Sequence, residues 1–308
     1  MKEWVNHYLN YLKNLKQYSD LTIKTYSTEL EQFNFYCKKE TFDQYNQIQY
    51  PHVRGYIVHL HDQQLSNLSI RHHISVLRSF FAYLLENEVV ETNPFTLVSQ
   101  PKTTKKMPDF LYYDEFEMLV DSIDLTTPLG RRNQMIIELM YATGLRVSEA
   151  VNLKLTDIDF HQDLLVVKGK GGKTRYVPFN PICEQYVKAY IEDTRKELMD
   201  KSHEDHSYLF VNQYGRKITE RGVYDILEKV SLNSPLKKKV HPHMLRHTFA
   251  THLLNEGADI RVVQEMMGHA DLSSTQIYTH VTMDKLKKTY MSTHPLANKK
   301  SLSRENSD

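Results

Sequence analysis

Apolar side chains recur every three or four positions through residues 1–93. This is the spacing of one face of an α-helix, and polar turns divide the pattern into four stretches. Ser19 or Asp20 can cap the second stretch, and the fourth covers about residues 69–87. We therefore predict an N-terminal domain of four helices. The side chains expected to face the core from the fourth helix are Ile74, Leu77, Phe80, Phe81 and Leu84.

A stretch rich in proline and lysine follows the four helical patterns. Residues 94–110 contain three prolines and a basic cluster, which disfavour regular structure. We expect an extended linker here and a second domain over residues 111–296. The last residues, 297–308, form a polar tail in which we expect no stable structure.

The second domain mixes helical patterns with one hairpin pattern. Residues 129–142 predict a buried helix that ends at Gly144. Residues 163–168 and 175–179 are short β-type runs joined by GKGGKT, which indicates a hairpin. A Walker motif does not fit this turn, because Val167 stands where its first glycine should be. The expected fold class is mainly α, with a small β-hairpin or sheet in the second domain.

Two later helices are marked by signals at both ends. Pro242 stands at a first helical position, and Gly257 lies past the end of the same helix. Asp259 can cap the next helix, and Gly268 can end it. The expected buried stripes are Leu245, Phe249 and Leu253 in the first helix, and Ile260, Val263 and Met267 in the second.

Length and composition exclude several classes of protein. The 308 residues suit two domains, and the formal net charge of +1 does not by itself indicate nucleic acid. Cys37 and Cys183 form no CxxC pair, which argues against a disulfide scaffold. Because the N-terminus is polar and no apolar run reaches membrane-spanning length, we expect a soluble, cytoplasmic protein without a membrane span.

Two pairs of residues combine groups that bind anions or move protons. Arg146 and Glu149 are three residues apart on a helical pattern, where such a pair is usually a surface ion pair. His243 and Arg246 are also three apart, and both project from a different face than the apolar stripe. Taken singly, each of these residues also has a purely structural interpretation.

The histidines near residue 243 allow a zinc site as an alternative. His241, His243 and His247 lie close together in sequence, but no glutamate stands between the last two as in HExxH. No cysteine or carboxylate lies nearby to complete a tetrahedral set. We therefore expect no metal ion, and no sequence motif predicts another cofactor.

Three longer stretches resemble the motifs of one enzyme family. YATGLRVSEAVNL, at residues 141–153, resembles the first arginine box of the tyrosine recombinases, the phage integrase family. HPHMLRHTFATHLL resembles its second arginine box, and MMGHADLSSTQIYTH resembles the segment that carries its nucleophilic tyrosine. The motifs occur in the family's order, and within the family the resemblance is to the bacterial Xer recombinases.

The resemblance implies a role for each matching residue. The two arginines of the boxes would neutralise the scissile phosphate, and the histidine of the second box would take or share the proton of the nucleophile. Lys170 would protonate the departing 5′ oxygen, although Lys173 lies only three residues away. The implied catalytic set is Arg146, Lys170, His243, Arg246, His269 and the nucleophile Tyr278, with Glu149 in support.

The resemblance also implies how the chain meets DNA. The four-helix domain corresponds to the SAM-like core-binding domain, which clamps duplex DNA together with the catalytic domain. Basic side chains of this kind contact phosphates, although each is also compatible with an ordinary solvated surface. The candidate contacts are Lys24, Arg71, Arg78, Lys105 and Arg221.

The implied activity is cutting and rejoining of duplex DNA at a recombination site through a 3′-phosphotyrosyl link. The expected partners are the DNA site and further recombinase subunits, identical or homologous, in a tetramer on two sites. Chromosome-dimer resolution and segregation at cell division are the expected role, and the lack of an arm-binding segment before Met1 favours it. A mobile-element integrase, a type IB topoisomerase and a non-catalytic DNA-binding module remain alternatives.

A short helical pattern covers residues 283–291, after the expected nucleophile. Its apolar Leu286 and Tyr290 are four residues apart, and a helix of this length is too short to be stable alone. It can close the core of its own protomer. The resemblance implies instead that it docks on a neighbouring protomer.

Overall fold

A computed structural model of the chain describes residues 1–102, 109–169, 174–202, 204–268 and 280–297. The chain divides into two compact units, Met1–Lys106 and Met107–Asp308, and each has a hydrophobic core of its own. None of the helices in the described ranges is long and apolar enough to cross a membrane.

The N-terminal unit contains the four helices that the apolar pattern predicts. They are α1 (Lys2–Asn14), α2 (Asp20–Lys39), α3 (Tyr50–Asp62) and α4 (Asn67–Glu86), with 3₁₀ helices at Tyr45–Gln47 and Pro94–Leu97. Ser19 caps α2, because its hydroxyl accepts a hydrogen bond from the backbone N–H of Thr22 at 3.3 Å. The predicted inward stripe of α4 is confirmed, since all five of its side chains are buried.

The stretch expected to be an extended linker begins inside this core. Phe95, in the 3₁₀ helix Pro94–Leu97, is fully buried against α3 and α4. Arg78 of α4 donates from Nε to the carbonyl oxygen of Phe95 at 3.1 Å and from Nη2 to that of Val98 at 3.0 Å. The expectation of a linker without regular structure from residue 94 is therefore wrong at its start, because burying an aromatic ring outweighs the weak local preference of the proline.

The C-terminal unit is mainly helical and carries one small sheet. Its elements are α5 (Tyr113–Asp121), α6 (Pro128–Thr143), α7 (Val147–Asn152), β1 (Ile158–Asp159), β2 (Leu164–Lys168), β3 (Thr174–Pro178), α8 (Pro181–Ala189), α9 (Arg195–Met199), α10 (Glu220–Asn233), α11 (Pro242–Asn255), α12 (Ile260–Met267) and α13 (His280–Thr293). A turn of π-helix, Tyr190–Thr194, joins α8 to α9, so the long helical pattern expected there is continuous but distorted.

The end of α6 brings this helix against α11. Gly144 follows α6 with φ of 58°, a left-handed conformation that favours glycine. A Cβ at Gly144 would lie only 2.4 Å from Cδ1 of Phe249, so the position also needs the absence of a side chain. The predicted helix end at Gly144 is confirmed, and it places the start of α7 beside α11.

The predicted hairpin is present and has a third strand. β2 pairs antiparallel with β3, with Val167 opposite Arg175, and β1 pairs antiparallel with β2. The two residues of β1 are too few to produce an alternating pattern, which is why the sequence did not indicate them. Val167 and Val177 point into the core of the unit.

The α11 and α12 patterns are confirmed except in one detail. Asp259 caps α12 and Gly268 ends it in a left-handed conformation, as expected. Ile260, however, is 58% exposed, while Val262, Val263 and Met266 are buried. The expectation that Ile260 faces inward is wrong. The buried face of α12 is rotated by about one residue from the face that the sequence pattern predicts, because the packing of neighbouring elements selects it.

In the single chain, α13 docks on its own protomer. Leu286 and Tyr290 are buried in a cluster with Phe249 of α11. The core extends beyond the helix, because Ala297 is only 7% exposed and its N–H donates to the carbonyl oxygen of His294. The expected polar tail therefore does not begin at Ala297, and residues 298–308 lie outside the described part of the chain.

Candidate active site

The junction between α6 and α7 places the first arginine. Leu145 is fully buried and anchors this junction, and Arg146 is the N-cap residue of α7. The backbone N–H of Arg146 donates to Oε2 of Glu149 at 2.8 Å, and its Nη1 donates to Oε1 at 3.0 Å. The predicted pair is thus formed. Its carboxylate is buried, however, whereas the Arg146 side chain keeps 43% of its surface exposed.

The second arginine is buried between α6 and α12. Arg246 of α11 donates from Nη1 to the carbonyl oxygen of Gly144 and from Nη2 to that of Met267. Burial, and then the nearby charge of Arg146, lower the pKa of Arg246 to about 10. The guanidinium therefore stays charged at neutral pH and is held rigidly.

A third arginine, which the sequence did not single out, joins the first two. Arg175 of β3 is 5% exposed and donates to Glu149 through two bonds, Nη1 to Oε1 at 2.7 Å and Nη2 to Oε2 at 2.8 Å. Its Nε donates to the carbonyl oxygen of Met266 at 2.8 Å. In the sequence Arg175 is only one polar residue in an alternating strand, and Glu149 lies 26 positions away, so no periodicity connects them.

The end of α12 collects all three arginines. Three consecutive carbonyl oxygens, those of Met266, Met267 and Gly268, accept from Arg175, Arg246 and Arg146 respectively. These are among the carbonyls that a helix C-terminus leaves without intrahelical partners, and the helix dipole makes this end negative. The arrangement satisfies the carbonyls and holds three cations together.

The ionisation of Glu149 follows from these contacts. Burial raises the pKa of this carboxyl, but the hydrogen bonds and charges of Arg175 and Arg146 outweigh burial and hold the pKa below its usual range. The carboxylate is therefore ionised at neutral pH. Two guanidinium groups, those of Arg146 and Arg175, bind this carboxylate, and Arg246 binds the same end of α12. The cluster therefore has a surplus of positive charge, which the Arg146 side chain brings to the solvent.

The first turn of α11 holds the predicted histidine. His243 is exposed, one turn before the buried Arg246. Nδ1 of His241 accepts from the backbone N–H of Met244 at 3.1 Å, so that His241 acts as the N-cap of α11. Among the described residues, no three His, Cys, Asp or Glu side chains form a group that could hold a metal ion.

Three members of the expected catalytic set lie outside the described residues. Lys170 belongs to the connection between β2 and β3, and His269 and Tyr278 belong to residues 269–279. Their neighbours in sequence are described: β2 and β3 flank Lys170, and Gly268 directly precedes His269. The roles of these three residues remain predictions.

The expected DNA contacts have different environments. Lys24 is exposed, and Arg71 donates from Nε to Gln100 at 3.1 Å. Arg221 is exposed and pairs with Asp225 at 2.8 Å. Arg78 is half-buried and binds the carbonyl groups of residues 95 and 98 within the N-terminal unit, and its DNA contact stays a prediction. Lys105 lies outside the described residues.

A site of this construction suits a phosphodiester. Guanidinium groups remain charged and can donate two parallel hydrogen bonds to phosphate oxygens. Arg146 is accessible to such a ligand, and its position is held by Glu149 and by Gly268. Developing negative charge on a phosphate would be stabilised here without rearrangement of the site.

Comparison with known families agrees with this geometry. The phage integrase family matches residues 109–285, and the phage integrase N-terminal SAM-like domain matches residues 5–88. The chain therefore belongs to the phage integrase family. Within that family it is a tyrosine recombinase of the Xer type, as the following relatives show.

The tyrosine recombinase XerC of Oceanobacillus iheyensis is 46% identical over 295 residues, which cover 96% of this chain and 97% of the relative. XerC of Bacillus subtilis is 43% identical and covers 97% and 99% of the two chains. Among solved structures, a XerH site-specific recombinase bound to a palindromic difH substrate after cleavage has a TM-score of 0.67 and 26% identity, covering 87% and 78%. A lambda integrase dimer on a core site has a TM-score of 0.70 at 16% identity and shares the fold, covering 93% and 95%.

Proposed function

We propose that this protein is a site-specific recombinase that cuts and rejoins duplex DNA through a 3′-phosphotyrosyl intermediate. The proposal is supported by the binding of Arg146, Arg175 and Arg246 to the end of α12, where Arg146 and Arg175 also bind Glu149. The last residue of this end, Gly268, directly precedes His269 and the segment with Tyr278 in the sequence. The cluster supplies positive charge to a phosphate, and the following segment supplies the nucleophile.

The chemistry needs a nucleophile, charge neutralisation and an acid. Oη of Tyr278 attacks the scissile phosphorus and gives up its proton to His243, while Arg146 and Arg246 neutralise the phosphate. The bond from phosphorus to the 5′ oxygen breaks, and Lys170 donates the proton that turns this oxygen into a hydroxyl. His269 adds a hydrogen bond as charge develops on the phosphate.

Rejoining is the same reaction in reverse. The phosphotyrosyl bond keeps the energy of the original phosphodiester, so no nucleotide is consumed. A 5′-hydroxyl from a partner duplex attacks the phosphorus and releases Tyr278, which regains its proton. Metal ions have no step in this scheme, because arginine and lysine supply all of the positive charge.

The partners are a DNA recombination site and other recombinase subunits. Exchange between two duplexes requires four tyrosines, so we assign the active form as a tetramer on two sites, made from identical or homologous subunits. Relatives named XerC at 46% and 43% identity support a role in resolving chromosome dimers at cell division. Mobile-element integration is the second candidate, since a transposon integrase shares the fold.

The test is to trap the covalent intermediate. DNA recovered from adducts of the wild-type protein would identify the site, and nicked substrates built on that site would then accumulate adduct. Tyr278→Phe should form no adduct and should keep nearly the same affinity for the site, because it removes one oxygen and no positive charge. Adduct formation by Tyr278→Phe would show that another residue is the nucleophile.

A second measurement separates recombination from topoisomerase activity. Plasmids with two copies of the recovered site should give products in which the DNA between the sites is deleted or inverted. Plasmids without the site should be left supercoiled. Relaxation of both plasmids with no exchange would favour a type IB topoisomerase instead.

A further inference from the structure

Arg175 differs from Arg146 in how far its guanidinium is buried, and from Arg246 in that it binds the carboxylate of Glu149. Its side chain is only 6% exposed, and all three of its nitrogens donate to protein acceptors, two to Glu149 and one to Met266. Arg146, by contrast, has 43% of its side chain exposed. Arg175 is therefore built into the protein behind the phosphate site.

The contacts of Arg175 complete those of Glu149. The carboxylate accepts four hydrogen bonds: two from Arg175, one from Nη1 of Arg146 and one from the backbone N–H of Arg146. Two carboxylate oxygens offer about four acceptor sites, so the group is saturated. The shortest of these contacts, at 2.7 Å, is made by Arg175.

This saturation determines how strongly Glu149 holds Arg146. Without Arg175, the buried carboxylate would keep only Arg146 as an ion-pair partner among the described residues, and it would draw that guanidinium towards itself. With its charge matched by Arg175, Glu149 orients Arg146 without neutralising it. Arg146 then keeps its charge for a phosphate.

Arg175 also connects three elements. It lies in β3, one strand of the hairpin whose connection contains Lys170, and it bonds to α7 through Glu149 and to the end of α12 through Met266. The end of α12 approaches the side chain closely, since a Cβ at Gly268 would lie 3.1 Å from Cδ of Arg175. Gly268 is the residue whose carbonyl holds Arg146.

We propose that Arg175 is a positioning residue for the cleavage reaction: it fixes Glu149 and the end of α12, and through them it aims Arg146 at the scissile phosphate. The proposal rests on the proposed function, in which Arg146 binds that phosphate. Arg175 itself does not touch DNA. Its effect on the reaction should therefore disappear when Arg146 is removed.

The experiment is a double-mutant cycle on single-turnover cleavage. Arg175→Lys keeps the charge but loses the planar fork, so it tests geometry and not charge alone. We expect Arg175→Lys to slow cleavage at least about tenfold at saturating protein, with affinity for the site changed less than about twofold. In an Arg146→Ala background the same substitution should slow cleavage by less than about twofold.

A neutral substrate supplies an independent readout. When a non-bridging oxygen of the scissile phosphate is replaced by methyl, the phosphate carries no charge and needs less help from arginine. On this substrate, Arg175→Lys should slow cleavage less than it does on the charged phosphate, and the same should hold for Arg146→Ala. A residue that only stabilises the fold would slow cleavage of both substrates equally.

Arg195→Lys is the matched control. Arg195 is also a buried arginine, but it donates to the carbonyl oxygens of Tyr208 and His206. The Arg195→Lys variant should have a lower thermal stability than the wild type but should cleave at the wild-type rate. The proposal is overturned if Arg175→Lys cleaves at the wild-type rate. It is also overturned if Arg175→Lys slows cleavage by the same factor with and without Arg146. Failure of the wild-type protein to cleave would instead reject the proposed function.

Discussion

The hydroxyl of Tyr290 donates a hydrogen bond to the carbonyl oxygen of Ala142 at 2.9 Å. The same hydroxyl accepts a bond from Nδ2 of Asn180 at 3.1 Å, and all three groups are buried. Ala142 lies in the last turn of α6, two residues before Gly144. The helix that follows the nucleophile segment is thus bonded to the turn that leads to Arg146.

Tyr290→Phe should therefore destabilise the C-terminal unit. The ring would still fill its place, but the Ala142 carbonyl and the Asn180 amide would lose a partner in a buried site. Such a loss costs about 1–3 kcal/mol of the free energy of unfolding. Urea unfolding would measure it, with Tyr224→Phe as the control, because Tyr224 is 42% exposed on α10. Equal stability of the two variants would contradict the prediction.

His294 should make the stability of the C-terminal unit depend on pH. The ring is enclosed by Tyr290, Tyr141 and Phe249, and burial lowers its pKa from 6.5 to about 3. As the pH falls, the unfolded chain therefore binds a proton at His294 at a higher pH than the folded chain does. The stability contributed by the buried neutral ring is fully present above pH 6.5 and is lost as the pH falls towards 3.

The size of this effect can be measured against a variant. Each pH unit between those limits costs about 1.4 kcal/mol, so wild type should lose about 2 kcal/mol relative to His294→Gln between pH 7 and 5. Urea unfolding at several pH values would give the difference. His161→Gln changes an exposed histidine and should run parallel to wild type. A constant difference between wild type and His294→Gln would show that His294 is not the group concerned.

Lys170→Ala should slow cleavage severely on a normal phosphodiester, because the departing 5′ oxygen would lack its acid. On a substrate in which sulfur replaces that oxygen the loss should be much smaller, since a thiolate leaves without a proton. Single-turnover rates on the two substrates give the comparison. Lys173→Ala serves as the control, and rescue of Lys173→Ala alone would assign the acid to Lys173.

Cleavage should persist in excess EDTA and without nucleotide. The cations that we assign to the phosphate are Arg146, Arg246 and Lys170, which chelators do not remove. Adduct formation before and after dialysis against EDTA would test this, with metal analysis of the same samples. Stoichiometric zinc, together with loss of cleavage on chelation, would restore the zinc interpretation of the histidines around His243.

Local features of the chain could be predicted from the sequence because they depend on neighbouring residues. Ser19 and Asp259 cap helices through their own side chains, and Gly144 and Gly268 end helices because glycine adopts positive φ without strain. The pairing of Arg146 with Glu149 could also be predicted, because residues three apart lie on the same face of a helix. The long motifs added the family and the expected roles.

Tertiary structure decided which of these features meet. Arg175 reaches Glu149 only because β3 packs beside α7 and the end of α12, and no spacing in the sequence predicts that contact.

Long-range packing also explains the two wrong expectations, at Ile260 and Phe95. A repeating apolar pattern shows that a helix has a buried face, but the packing of other elements selects that face to within one residue, and burial of one ring can order a stretch rich in proline. The sequence by itself therefore determined the helices and their ends, and it predicts the reacting groups. The meeting of the three arginines at the end of α12 was decided by long-range packing, because Arg146, Arg175 and Arg246 each reach this end from an element that is distant along the chain.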